Sequence, residues 1–86
     1  MEFIQIESSH LTEARYNKES RELEIKFRNG YHYLYFEVPE SVYKGLMESE
    51  SKGSYFHRFI KEKFICKLLT MNYNKENTVR DYPHQD

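Results

Sequence analysis

Polar and apolar residues alternate without a break from Glu22 to Phe27. Leu23, Ile25 and Phe27 fall on one side, and Glu22, Glu24 and Lys26 on the other. A period of two belongs to an extended chain, so ELEIKF reads as a half-buried strand. Asn29-Gly30 follows, a pair that tolerates positive φ and closes hairpins. The return strand is YHYLYFEV. Register then decides which rings are buried, because a slip of one residue turns the whole strand over. A two-residue turn sets Phe27 opposite His32, Ile25 opposite Leu34 and Leu23 opposite Phe36. A three-residue loop, with Gly30 in the left-handed position, sets the same residues opposite Tyr31, Tyr33 and Tyr35. In both registers the far face keeps large apolar side chains. Left uncovered, such a patch marks an interaction surface.

The flanking segments carry weaker patterns. FIQIESSH has a short apolar strand signal that ends at Ser8-Ser9, and LTEARYN reads as an irregular strand through Leu11, Ala14 and Tyr16. Asn17 to Ser20 is a polar turn. Beyond the hairpin, Pro39 suits the first turn of a helix. Val42, Leu46 and Met47 then form an apolar stripe with Tyr43 beside it. Gly53 interrupts this helix within ESESKGS. A second helix starts near Ser54 and presents Phe56, Phe59, Ile60 and Phe64 at core-facing spacing. ICKLLTM either extends that helix or forms a last strand. Residues 72–86 are polar and read as a disordered tail, which leaves one domain over residues 1–71. The expected class is α+β: a three-stranded antiparallel β-meander packed with two short α-helices.

Composition adds constraints. Eighty-six residues make one small domain, near the size at which a single core only just suffices. Eight tyrosines and six phenylalanines, with no tryptophan, supply most of the bulk for that core. Tyrosine combines buried area with a polar tip, so it suits a core and a contact surface alike. The single Cys66 excludes an intramolecular disulfide and fits a reducing compartment; among Ile65, Lys67 and Leu68 it reads as packing. The sequence has neither a secretory-signal pattern nor an apolar run of membrane-spanning length. The expected location is therefore cytoplasmic, with no membrane partner. A net charge of −1 argues against long duplex DNA, where several phosphate contacts would be made.

The ordered series SS-x-L, LEIxF, NGxxYxY, VPxxVYxxL, SxGxYF and a final I-x-x-x-F resembles the KTSC domain. The likeness is carried by Ser8, Ser9, Leu11 and Tyr16, by Leu23, Ile25, Phe27, Gly30, Tyr33 and Tyr35 of the hairpin, and by Val38, Pro39, Val42, Tyr43 and Leu46. It continues through Ser51, Gly53, Tyr55, Phe56, Ile60 and Phe64, so that it covers roughly residues 8–64. That family is named for its occurrence at the C-terminus of some lysyl-tRNA synthetases, and it also occurs as short free-standing proteins. The resemblance implies a β-meander with a helical pair and no established enzymatic activity; the synthetase association suggests a nucleic-acid role. The family keeps the two tyrosines of YxY and is often polar between them, which favours the three-residue loop with Tyr33 and Tyr35 inward. This chain departs from the pattern with Leu34 and Phe36 on the opposite face, and with His57 where the family often has asparagine.

Candidate chemistry gathers around Gly53. Backbone amides at a helix start attract phosphate, and glycine allows close approach of a ligand. From Lys52 to Lys67 five basic residues face a single acid, Glu62. The candidate ligand-binding set is Ser51, Lys52, Gly53, Ser54, Tyr55, His57, Arg58 and Lys61, directed at a nucleotide-like anion, either RNA or a small phosphorylated nucleotide. The bland alternative is a solvated helix face with Ser54 as an ordinary cap. SxxG is no Walker motif, since the Gly-Lys-Ser/Thr ending is absent. A rival function is a protein-interaction module or host-directed inhibitor, using an interaction face of Tyr31, Leu34 and Phe36 for a partner or for self-association. Tyr33, Tyr35, Phe56, Phe59 and Phe64 are expected in the core. No metal spacing involves the histidines at 10, 32, 57 and 84. Ser8-Ser9-His10 invites a nucleophile reading, but neighbours on an extended chain point apart, and turn hydrogen bonds explain those serines better. Neither a catalytic residue nor a cofactor is expected.

Overall fold

The computed structural model describes residues 2–71; the tail expected over 72–86 lies outside the described residues. The alternating segments form strands β1 (Ile4–Gln5), β2 (Leu11–Asn17), β3 (Glu22–Phe27), β4 (Tyr31–Tyr35) and β5 (Cys66–Met71). Each pairs antiparallel with the next, and the sheet order is β1-β2-β3-β4-β5. The α+β class and the meander hold, and the expected three strands are corrected to five. The added pairing of β5 with β4 has a backbone cause. β4 buries its alternate rings in the middle of the core, and buried N–H and C=O groups on its far edge need partners. β5 supplies them. A continuing helix is stopped just before, where Glu62 adopts a φ of 60°.

The central hairpin takes the three-residue loop: Leu23 faces Tyr35 and Ile25 faces Tyr33. Gly30 has a φ of 100°, a conformation that an L side chain strains to adopt. Its amide donates to the Phe27 carbonyl at 2.9 Å, and the Asn29 side chain accepts the Tyr31 amide at 3.1 Å. Period-two alternation then puts Tyr31 on the same side as Tyr33 and Tyr35. Tyr31 is buried, so it leaves the interaction face on which it was grouped with Leu34 and Phe36. Those two are half-buried on the opposite side.

Helix α1 (Glu40–Glu48) follows Pro39, and α2 (Lys52–Tyr55) runs directly into a π-helical turn over Phe56–Ile60. The wider turn is closed by the Lys61 amide donating to the Phe56 carbonyl at 2.7 Å. Leu46, Phe56 and Ile60 join Leu11, Leu23, Ile25 and the three β4 tyrosines in one core. Phe56 sits edge-on to Phe27 (5.2 Å) and to Tyr35 (5.9 Å). Tyr16 stacks on Tyr43 at 4.8 Å and donates its hydroxyl to the Val38 carbonyl at 2.6 Å, which ties the sheet to the start of α1. Phe59, expected in the core, is 47% exposed. The reason is the π turn: it keeps Phe56 and Ile60 inward and rotates Phe59 out of the ordinary α-helical stripe. Phe64 packs against the core rim. Cys66, read as a packing residue, stands across from Tyr35 at the start of the edge strand and is exposed.

One core group is out of balance. Tyr35 Oη is buried and has no hydrogen-bond partner among the described residues. Burial pushes its hydroxyl well above the ordinary tyrosine range. A proton held more tightly in the folded state gives stability that is fully present below about pH 10, the unfolded tyrosine value, and is lost as the pH rises beyond it. Tyr35→Phe is therefore expected to raise stability at neutral pH by about 1 kcal/mol and to make the alkaline decline shallower. Urea unfolding followed from about pH 8 to about pH 11 checks this. A loss of stability at neutral pH would show that the hydroxyl has a partner.

Candidate functional site

Two segments distant in sequence build one cavity. The first is the bend before β2. There Ser8 Oγ accepts the amides of His10 (3.1 Å) and Leu11 (3.3 Å), the turn bonding expected of serine in this setting. Arg28 holds the bend from the neighbouring hairpin, donating its guanidinium to the Ser8 carbonyl at 2.6 Å and its amide to the His10 carbonyl at 2.7 Å. Ser9 Oγ lies 2.9 Å from His10 Nδ1. The expectation that these neighbours point apart is corrected, because the chain bends at Ser9 and His10 instead of running extended.

The second segment joins α1 to α2. Ser49 Oγ accepts the Ser51 amide at 3.1 Å and donates to the Ser51 carbonyl at 2.9 Å, closing a tight turn. Lys52 Nζ donates to the Ser49 carbonyl at 2.8 Å, which fixes the ammonium near that turn. Ser51 makes no side-chain cap on α2. Gly53 faces the bend: a Cβ there would lie 3.4 Å from His10 Nδ1 and 3.5 Å from Ser8 Oγ. A methyl group at this position would just touch the bend at ordinary contact distance, and a larger side chain would reach into the space between the two segments. Tyr55 then locks α2 to α1, since a Cβ on Gly45 would overlap the Tyr55 hydroxyl.

Between the segments lies a cavity of ≈ 530 Å³. Of the candidate set, Ser51, Lys52, Gly53, Ser54 and His57 line it, and Tyr55, Arg58 and Lys61 do not. Tyr55 packs on Phe59 at 4.6 Å, and Arg58 extends outward with its guanidinium 5.6 Å above the same ring. Lys61 sits at the end of the π turn. The basic helix therefore brings one fixed cation to the cavity and turns the others elsewhere. Sequence reasoning missed Ser8, Ser9 and His10 in the wall, together with Glu7 and Glu50. The SS-x-L block of the family pattern was the signal available for the two serines. For the glutamates there was none.

A second cleft of ≈ 330 Å³ lies at the junction of β4 and β5, lined by Phe36, Glu37, Lys63, Phe64 and Ile65. Ile65 is 79% exposed at its edge. Leu34 pairs across from Lys67 on the sheet face away from the helices. Among the described residues no three His, Cys, Asp or Glu side chains cluster as metal ligands, and no helix is long and apolar enough to cross a membrane.

The comparisons with known proteins bear on the same residues. The family model described as the KTSC domain matches residues 7–64, a span that includes both cavity segments. A lysine–tRNA ligase of Trichormus variabilis is 45% identical over 64 residues, which cover 74% of this chain and 11% of the ligase. The chain thus spans only about that tenth of the ligase's length. A protein of Tsukamurella paurometabola is 36% identical over 64 residues, 74% of this chain and 96% of that protein. The crystal structure of a KTSC domain protein from Yersinia pestis superposes with a TM-score of 0.78 at 35% identity, covering 80% of this chain and 97% of that one.

Proposed function

The chain belongs to the KTSC domain family, and from that premise we propose that it is a non-enzymatic binding module whose cavity captures a nucleotide-like, phosphorylated ligand. One observation carries the reading. At Gly53 two polar segments come within contact distance and put Ser8, Ser9, Ser51 and Ser54, with Lys52 and two imidazoles, around a single cavity. Hydroxyls, imidazoles and an ammonium are the donors that phosphate oxygens take. The volume lies within the range of small-molecule pockets, roughly 300–1,000 Å³. Relatives of this domain also lie within lysine–tRNA ligases, which their name places beside RNA. The wall presents a set of hydrogen-bond donors and one ammonium, which suits capture rather than turnover. The rival, a protein-interaction module or host-directed inhibitor on the Leu34/Phe36 face, draws on the exposed Ile65 and the cleft beside Phe36.

Salt and one substitution separate the two. Titration calorimetry with the four ribonucleoside 5′-monophosphates is expected to show saturable binding that weakens as ionic strength rises, as screening requires. Lys52→Ala should cost about tenfold in affinity, on the order of 1.4 kcal/mol. Lys52 is half-buried and its ammonium donates to the Ser49 carbonyl, so the thermal midpoint of the variant is measured alongside to show that the fold is kept. Full affinity in the variant, or binding indifferent to salt, would favour the apolar face instead.

A further inference from the structure

We infer that the cavity selects a single-nucleotide-sized phosphate ester that also offers hydroxyl or amino hydrogens, in preference to bare phosphate or a polynucleotide strand. This rests on the binding role proposed above and sharpens its ligand class. The argument starts from Glu7 and Glu50, both exposed and both in the cavity wall. Three glutamates of the sheet and helices are ion-paired: Glu24 with Arg15 and His32, Glu13 with Lys26, Glu40 with Lys44. Among the described residues, neither Glu7 nor Glu50 has an ion-pair partner.

Two carboxylates beside one ammonium do not suit a ligand that is all anion. Like charges in a shared cavity repel, and a carboxylate only accepts hydrogen bonds. A ligand that satisfies the whole wall must therefore carry both kinds of group. Its phosphoryl end takes the hydroxyl, imidazole and ammonium donors, and its sugar hydroxyls or base amine donate to the glutamates. A nucleoside monophosphate combines the two in one small molecule. A strand needs a run of cations spaced along its backbone, and among the described residues Lys52 is the one lysine or arginine that lines the cavity. Arg58 lies over Phe59, Lys63 lines the second cleft, and Lys67 lies on the far edge of the sheet. None of them lines the cavity.

The test is calorimetry on the full chain with inorganic phosphate, the four ribonucleoside 5′-monophosphates, their 2′,3′-dideoxy counterparts, inosine monophosphate and a mixed-sequence ten-nucleotide RNA. The best monophosphate is expected to bind at least tenfold more tightly than inorganic phosphate, and more tightly per site than the RNA. The dideoxy compounds report donation from the sugar. Inosine monophosphate, which lacks the amine of adenosine monophosphate, reports donation from the base. In Glu7→Gln/Glu50→Gln the preference over inorganic phosphate should fall at least fivefold, while phosphate itself binds as well or better. Equal affinity for phosphate and monophosphate, tighter binding of the RNA, or an unchanged preference in the double variant overturns this inference and leaves the binding role standing. Absence of binding by every probe, phosphate included, overturns both.

Discussion

Phe56→Ala is expected to unfold the domain or leave it barely folded, with a loss of about 3–5 kcal/mol. Phe56 is 1% exposed, and its ring is the wedge between the helical layer and the sheet, edge-on to Phe27 and Tyr35. Truncation removes the transfer energy of a whole phenyl group and leaves a cavity that rigid strands on one side cannot fill. A chain of this size has roughly 5–10 kcal/mol of total stability, so the loss takes a large share. Phe59→Ala, the same substitution three residues on, should cost less than about 1 kcal/mol, because that ring is 47% exposed. Urea unfolding of both variants by circular dichroism checks the pair. Equal costs would mean that the segment is an ordinary α-helix with both rings in the core, contrary to the bond from Lys61 to Phe56.

Gly53→Asp is expected to abolish ligand capture while leaving the fold in place. A Cβ at this position meets His10 and Ser8 at ordinary contact distances, so the backbone tolerates it. The carboxylate beyond it would occupy the space between the two segments and add a third negative charge beside Glu7 and Glu50. The expected loss in nucleotide affinity is about a hundredfold or more, on the order of 3 kcal/mol. Its thermal midpoint should stay within a few degrees of the parent, corresponding to less than about 1 kcal/mol. Gly53→Ala, which adds a methyl group and no charge, should lose far less. Comparable losses in both variants would indicate that glycine serves the backbone rather than the cavity.

The hairpin was legible because its signals are local. Strict alternation in ELEIKF and the Asn-Gly pair define β3, the turn and β4 between Glu22 and Tyr35, and the family likeness chose between the two registers. Tyr31 was misplaced only because period two was not carried two residues further toward the turn, from Tyr33 to Tyr31. β5 was not legible. Ile65, Leu68 and Leu69 suit a helix or a strand equally well, and the choice was made by the open edge of β4, which is a tertiary fact. Phe59 failed for a different reason: one π-helical turn shifts the inward face without changing any residue type.

The candidate site was half legible. Ser51 to Ser54 and His57 stand together in the chain, so composition and the glycine drew attention to them. Their opposite wall comes from a bend more than forty residues earlier, and only folding brings Ser8 and His10 against Gly53. Arg58 and Lys61 looked equivalent to Lys52 in sequence. Helical rotation and the stacking of Arg58 on Phe59 separated them in space.

The most direct measurement is a two-dimensional amide NMR titration of the full chain with the best-binding ribonucleoside monophosphate. Shifts that saturate together at Ser8, Ser9, Lys52, Gly53 and Ser54, with Leu34 and Phe36 unmoved, are the result expected of a ligand held between the bend and the start of α2. Shifts confined to the Leu34/Phe36 face, or none at all at millimolar ligand, would contradict that account.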